Sequence, residues 1–413
     1  MADETFDIGP FVAEAKRHLS ADSNVSANFA TVRDAMRKAV DKVTDLQSKN
    51  IAVVPEISFT AVKNQGVSRS DIAAIRERGC VIIRGVFSET TAKDWNAELG
   101  DYLYSNNYLE RAKEKAGLDN YFGDLKDAKP QIYGVYWSRP QVMARQAESM
   151  AVTKRFLNRL WNTSAPAGPE FDPDTDYAYA DRTRRRAPGD TTLGLSPHMD
   201  AGSYERWVDP AFQKIYASVF TGRFDQFDPW NAAYRTQTRE YSSPAVSSMF
   251  RTFQGWTALT EQGPGDGTLE LLPIAKAISY VLLRALQNDL PDTELCLARP
   301  GRALGVSETW HPDLTPGIIP IQTVAPGDTV WWHPDVVHAV GKEHTGNEYA
   351  SVIYIGASPA CSKNRTYALR QAESFKTGAS APDFAAEDYE INFTGRARPE
   401  DLSELGRQQM GLE

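Results

Sequence analysis

The chain has 413 residues, with 45 Lys and Arg against 54 Asp and Glu, and its formal net charge of -9 argues against a dedicated nucleic-acid surface. Hydrophobic residues make up 41%, enough for a large core, and charged residues 24%, an ordinary globular share that excludes disorder of the whole chain. Cys80, Cys296 and Cys361 are too scattered for a disulfide framework or a C-x-x-C zinc site. No apolar run approaches the roughly 20 residues that span a bilayer, and the first residues lack a signal-peptide pattern. A cytoplasmic protein without membrane or nucleic-acid partners is expected.

In chain order, residues 1–70 read as a polar, helical N-terminal extension, with apolar residues spaced along 27–47 (Phe29, Val32, Met36, Val40, Val43). Ser70 is a candidate cap for a helix from Asp71 to Arg78, and Gly79 can end it. A short buried strand follows at Cys80 to Arg84, then a helix capped by Ser88. Residues 131–137 read as a strand, 141–161 as a helix and 171–176 as a loop. Strands are expected at 177–186, 191–197, 249–259, 268–272, 329–333 and 349–356, with one helix at 274–287. Pro-Gly-Asp occurs at 188–190 and 326–328, each time as a turn before a strand. The Trp/Tyr/Pro-rich stretch 203–245 reads as a long insertion or lid, and residues 377–413 as a polar C-terminal tail at the surface. Helices followed by many short strands predict an α+β fold with one barrel or sandwich core, carried by residues 71–376.

Six histidines are available as metal ligands: His18, His198, His311, His333, His338 and His344. A non-haem iron site needs two imidazoles and a carboxylate and keeps positions open. On an extended chain, residues i and i+2 point the same way, so His-x-Asp can supply two ligands. That pattern occurs at 198/200, 311/313 and 333/335. Only the first lies ahead of the strand-rich region and leaves room for the chain to wind a barrel before His338. The other two carry Pro at the middle position, which suits a turn better than a strand. His198, Asp200 and His338 are therefore the candidate ligands. A satisfied core role is the alternative for His338, and His333 is expected either in the core or beside the ligands without binding the metal. There is no G-x-S-x-G, P-loop or G-x-G-x-x-G pattern, which leaves hydrolase and NTPase readings without support.

The segments SPHMDAGSYERW (196–207), MFRTFQGWTALT (249–260), GDGTLELLP (265–273) and PGDTVWWHPDVVHAV (326–340) resemble an uncharacterised bacterial and fungal family. That family looks related to Fe(II)/2-oxoglutarate dioxygenases of the phytanoyl-CoA hydroxylase type. The resemblance runs from about residue 75 through 375. It implies a double-stranded β-helix (jelly-roll, cupin-like) core with flanking helices, holding iron on His198, Asp200 and His338. It also implies oxidation of a small polar substrate with 2-oxoglutarate and O2. In such enzymes an Arg some ten residues after the distal histidine often anchors the co-acid, with Ser or Thr two residues on. Here Tyr349 stands in the Arg position and Ser351 in the hydroxyl position. Arg251, and Arg184 or Arg186, are the candidate anchors, because a guanidinium can fork onto a carboxylate. Tyr133, Tyr136, Trp207 and Trp332 are candidate pocket aromatics. Two alternatives remain: a cupin-type metal enzyme that uses no co-acid, and a non-catalytic small-molecule-binding protein on the same fold.

Overall fold

The computed structural model describes residues 8–21, 24–114, 132–190, 194–239 and 248–412. Its strands are β1 (Glu56–Ser58), β2 (Cys80–Arg84), β3 (Ile132–Tyr133), β4 (Asp172–Tyr177), β5 (Thr183–Arg186), β6 (His198–Met199) and β7 (Gln254–Ala258), followed by β8 (Leu269–Leu271), β9 (Leu304–Gly305), β10 (Ile319–Pro320), β11 (Thr329–Trp332), β12 (His338–Val340), β13 (Ala350–Tyr354) and β14 (Ser358–Ala360). They form a seven-stranded sheet, β1-β2-β11-β7-β13-β5-β3, a five-stranded sheet, β10-β8-β12-β6-β9, and the pair β14-β4. The fold is mixed α+β with several sheets.

Period-two alternation sorts the side chains of the large sheet. Cys80, Ile82, Trp256, Ala258, Val330, Trp332 and Val352 share one cluster with Leu269 and Leu271 of the small sheet. Their neighbours Val81, Ile83, Trp331 and Ile353 point the other way, into a cluster with Leu99 and Tyr102 of the helix Glu89–Ser105. Met199, Leu304 and Ile319 of the small sheet pack into a third cluster with the helix Val25–Ser48. Apolar surface is thus buried on both faces of each sheet, and only the shared inner face leads to the candidate site.

Local signals mostly act as expected. Ser88 accepts the Thr91 N–H at 3.0 Å, and Gly79 ends its helix in the left-handed region at φ 71°. The cap of that helix is Ser68 instead of Ser70; the Ser68 hydroxyl accepts the Asp71 N–H at 3.1 Å. At the second Pro-Gly-Asp turn, Gly327 has φ 91°, and a Cβ there would stand 2.3 Å from the Phe87 carbonyl oxygen. The helix expected over 141–161 is two helices, Arg139–Gln146 and Glu148–Asn158, separated at Ala147, which is extended with ψ 139°. The loop expected at 171–176 is strand β4. Of the strand expected at 191–197, residues 191–193 lie outside the described residues.

Three long-range expectations give way. The N-terminal helices are not an appendage, because Val25, Val32, Met36, Val40 and Val43 are buried in the main core, where Phe29 meets Tyr280 at 5.1 Å. The described part of 203–245 is not a lid; Trp207, Tyr216 and Trp230 are all buried. The C-terminal segment is not a surface tail. Glu390 is buried, and its carboxylate accepts hydrogen bonds from the Tyr102 hydroxyl at 2.6 Å and from the backbone N–H groups of Tyr136 and Trp137. In each case the sequence shows polarity or amphipathicity, but not the surface on which the segment docks. Among the described residues no helix is long and apolar enough to cross a membrane.

Candidate metal centre

Strand β12 places His338 directly opposite His198 of β6, and Asp200 follows two residues later. His198 Nε2 lies 3.8 Å from Asp200 Oδ1, and His338 Nε2 lies 3.5 Å from Asp200 Oδ2. One ligand atom from each residue falls within 4.8 Å of the others, the one such cluster among the described residues. The other ring nitrogens are already engaged: His198 Nδ1 lies 2.6 Å from the Ser196 carbonyl, and His338 Nδ1 lies 3.3 Å from that of Val336. A carbonyl can only accept, so each Nδ1 carries a proton, and each Nε2 is the nitrogen that faces the carboxylate. Burial, then the neighbouring His338, pushes His198 down to about 4, leaving it neutral at pH 7. Burial works to raise Asp200, but His338, His198 and Arg251 outweigh it and hold the carboxyl well below the usual range. The arrangement can hold a divalent cation on two nitrogens and one oxygen, with further positions left to solvent or ligand.

The chain behind Asp200 is fixed by Arg206, which donates to the carbonyls of Asp200 and Gly202, each at 2.9 Å. Arg206 is itself held by the buried carboxylate of Asp335 at 2.7 Å, which also takes Arg235 at 2.9 Å. The Gln254 amide donates to Asp200 Oδ2. The Arg206 and Gln254 contacts had no signal in the sequence, and Asp335, part of the His-x-Asp pattern at 333/335, serves as the partner of two arginines and stands apart from the cluster.

A cavity opens above the three residues and is walled by Tyr179, Arg184, Arg251, Trp256, Trp332 and Phe384, among others. Arg184 belongs to β5, whose neighbours are β13 and β3, so it lies inside the large sheet and not at its edge. Its register partner is Val352, on the inner face. Arg184 is 2% exposed. Its contacts are 3.4 Å to the Gly267 carbonyl and 3.3 Å to Gln262 Oε1, and its Nε has no partner. Arg251 lies before β7 at the opposite end of the cavity, over the Tyr179 ring.

Ser351 does not reach this cavity. It pairs with Arg185, one residue out of phase with Val352 and Arg184, and alternation turns it to the helix-covered face. Tyr349 shares that outward phase, is 43% exposed and lies under Arg185. Neither position can therefore serve as an inward anchor. Of the four pocket aromatics, Trp332 lines the cavity, its ring 5.2 Å from that of His338. Tyr133 packs on Tyr108, Tyr136 stands behind Phe384, and Trp207 lies under the other sheet, its indole N–H on the Leu282 carbonyl. Tyr179 and Phe384 were missed because nothing near them in sequence marks the site.

The remaining histidines stand apart from the cluster. His333 is buried, stacked on Trp161 at 4.6 Å; its Nδ1 accepts the Asp335 N–H and its Nε2 meets the Pro229 carbonyl at 3.0 Å. Burial pushes His333 down to about 3 and His311 to about 4. An unfolded histidine titrates near pH 6.5. From there down to the folded values the unfolded chain binds more protons, so stability falls as pH falls. Glu390, raised to about 7 by burial, works in the opposite direction, and the two imidazoles together outweigh it. The expected result is a thermal midpoint that begins to drop just below pH 6.5, before ordinary carboxylates titrate. A midpoint that is flat or rising between pH 6.5 and 5 would contradict this.

The profile of the Gig2-like family matches residues 7–412. The chain belongs to the Gig2-like family. The uncharacterized protein YbiU of Escherichia coli (strain K12) is 42% identical over 392 residues, covering 94% of this chain and 93% of that one. A crystal structure from Salmonella typhimurium LT2, described as that of a candidate oxidoreductase, superimposes with a TM-score of 0.92 at 41% identity, covering 97% and 96% of the two chains. The structure of GlcNAc Inducible Gene 2, GIG2, from Candida albicans superimposes with a TM-score of 0.81 at 26% identity, covering 97% and 89%. The Gig2-like fold in this chain therefore extends over nearly its whole length, including the N-terminal helices and the C-terminal segment that close the core.

Proposed function

We propose that this Gig2-like protein is an Fe(II)- and 2-oxoglutarate-dependent oxygenase on a double-stranded β-helix, distantly related to enzymes of the phytanoyl-CoA hydroxylase type, acting on a small polar molecule. The observation that carries the reading is the pairing of the His198-Asp200-His338 cluster with a buried guanidinium that faces no carboxylate. When bound, iron with 2-oxoglutarate and O2 would supply oxidation of a substrate C–H bond, with succinate and CO2 as co-products.

The chain's own residues fit that use. Inward-facing positions climb the large sheet in steps of about 6.7 Å. Gln254 stands at the level of Asp200, Trp256 and Tyr354 pair one step deeper, and Ala258, Val352 and Arg184 stand one step beyond. A five-carbon dicarboxylate chelated at the metal would extend its far carboxylate toward Arg184. There the guanidinium can donate two parallel hydrogen bonds in a water-poor site. Burial lowers the Arg184 pKa, the sign of a cation whose desolvation is not offset by a carboxylate partner. The cavity that borders His198, Asp200 and His338 also borders Arg184, with Trp256 and Tyr354 in its wall. The Salmonella relative described as a candidate oxidoreductase supports an oxidative role.

The test is an anaerobic titration of metal-free protein with Fe(II) and 2-oxoglutarate, read by the visible metal-to-ligand charge-transfer band. A band is expected in the wild type. Arg184→Ala should still bind iron but need on the order of a hundredfold more co-acid, as loss of a buried charged hydrogen-bonding partner implies. Iron binding without a band at any co-acid concentration would move the protein to the cupin-type reading.

A further inference from the structure

Arg251 is a second buried-side cation in the same cavity, and it points from the opposite end to Arg184. Its guanidinium lies 4.7 Å from the centre of the Tyr179 ring. Among the described residues it makes no hydrogen bond and no ion pair, so its five N–H donors remain unused. Three carboxylates, Asp200, Asp181 and Asp383, surround it without touching it. Each has other partners. Asp200 faces the two imidazoles and Gln254. Asp383 takes the Ser248 hydroxyl at 2.5 Å, the Ser248 N–H at 2.7 Å and the Tyr179 hydroxyl at 3.3 Å. Asp181 takes the Arg182 N–H at 2.7 Å. The field of these groups keeps the cation in place, while its donor fork stays available.

Two further features support a recognition role. A Cβ at Gly356 would stand 2.8 Å from Arg251 Cδ, so the bare backbone there gives the long side chain its path into the cavity. Arg251 and Gln254 also border a second, smaller cavity with Phe212, Ile215 and Met249, so Arg251 stands between the two cavities. The walls beside it are the faces of Tyr179, Trp256 and Phe384, which suit an apolar or flat molecular body.

We propose that Arg251, backed by Tyr179, is the specificity-determining residue for the substrate, and that the substrate is a small monocarboxylic acid seated with its carboxylate on this guanidinium and its body over the metal. This rests on the oxygenase reading for the word substrate, but not for the binding itself. A planar carboxylate matches the fork in a bidentate pair. A dianionic phosphate is disfavoured by the three nearby carboxylates.

Binding can be tested without turnover. Metal-free protein is titrated with acetate, benzoate, phenylacetate and hippurate, each beside its primary amide, by calorimetry and saturation-transfer NMR. At least one acid is expected to bind about tenfold more tightly than its amide. Arg251→Gln should erase that preference, and Arg251→Lys should keep part of it, with the thermal midpoint of each variant showing that it folds. Acids and amides that bind alike, no acid that binds, or a preference that survives Arg251→Gln would each overturn the proposal. So would loss of the iron-2-oxoglutarate band in Arg251→Gln with retention in Arg184→Ala, since Arg251 would then be the co-acid anchor. Absence of the band from the wild type would strike the oxygenase reading alone, and the acid-over-amide preference would stand or fall on its own measurement.

Discussion

Replacing His338 with alanine is expected to lower Fe(II) affinity by on the order of a hundredfold or more, one ligand's share of a typical site energy. The reason is geometric. His338 and His198 are register partners on adjacent strands, with ring centroids 4.2 Å apart. Their Nδ1 atoms are tied to carbonyls of their own segments, so neither ring can turn to compensate for loss of the other. Among the described residues no further His, Cys, Asp or Glu joins the cluster. Water can fill the vacated position but brings no comparable bond. Gln254→Leu should cost less, about tenfold, because it removes only a hydrogen bond that aims Asp200. His18→Ala, in the helix Gly9–Ala21, is the control and should leave the affinity unchanged. An anaerobic iron titration of the variants checks this ordering. A His338→Ala protein that binds iron within twofold of the wild type would remove His338 from the site.

Asp335→Ala should destabilise the fold by about 3–5 kcal/mol, the range for breaking a buried ion pair by removing one partner. Asp335 is 1% exposed, and one carboxylate serves three donors: Arg206 at 2.7 Å, Arg235 at 2.9 Å and the Tyr216 hydroxyl at 2.8 Å. Its removal leaves two buried guanidiniums facing each other without a counter-charge. Arg206 and Arg235 both come from the 203–245 stretch, so this carboxylate clamps that stretch to the turn between β11 and β12. Burial works to raise the Asp335 carboxyl, but Arg235 and Arg206 hold it well below the usual range. A depressed carboxyl contributes stability that is complete above the unfolded pKa, near 3.9, and lost only as pH falls through the folded value. The gap between wild type and variant should therefore stay constant from pH 5 to 8. Urea unfolding of both proteins measures it, and a difference under about 1 kcal/mol would contradict the clamp. Because Arg206 also holds the Asp200 carbonyl, the variant should bind iron more weakly as well.

The clustering of His198, Asp200 and His338 was legible because its logic is local. His-x-Asp needs only an extended backbone to present both side chains together, and prolines at 312 and 334 marked the competing pairs as turns. The distant His338 was reachable because strands must separate two ligands that meet across a sheet. Buried strands, glycine-ended helices and Pro-Gly-Asp turns were readable for the same reason: each depends on a few neighbouring residues. Ser351 shows where that reading ends. A strand was correctly expected there, but which of its faces looks inward depends on register against β5 and β7. A shift of one residue reverses every side chain.

By itself, then, the sequence pointed to a rich set of strands, the three side chains that meet at the candidate site, and a short roster of arginines that could meet an anion. Only the tertiary structure decided which arginine stands at which end of the cavity, and that Tyr179 and Phe384 line it. It also decided that the terminal segments belong to the core. Those outcomes depend on which surfaces meet across hundreds of residues, and apolar burial, being non-directional, leaves no address in the chain for where each stripe will dock.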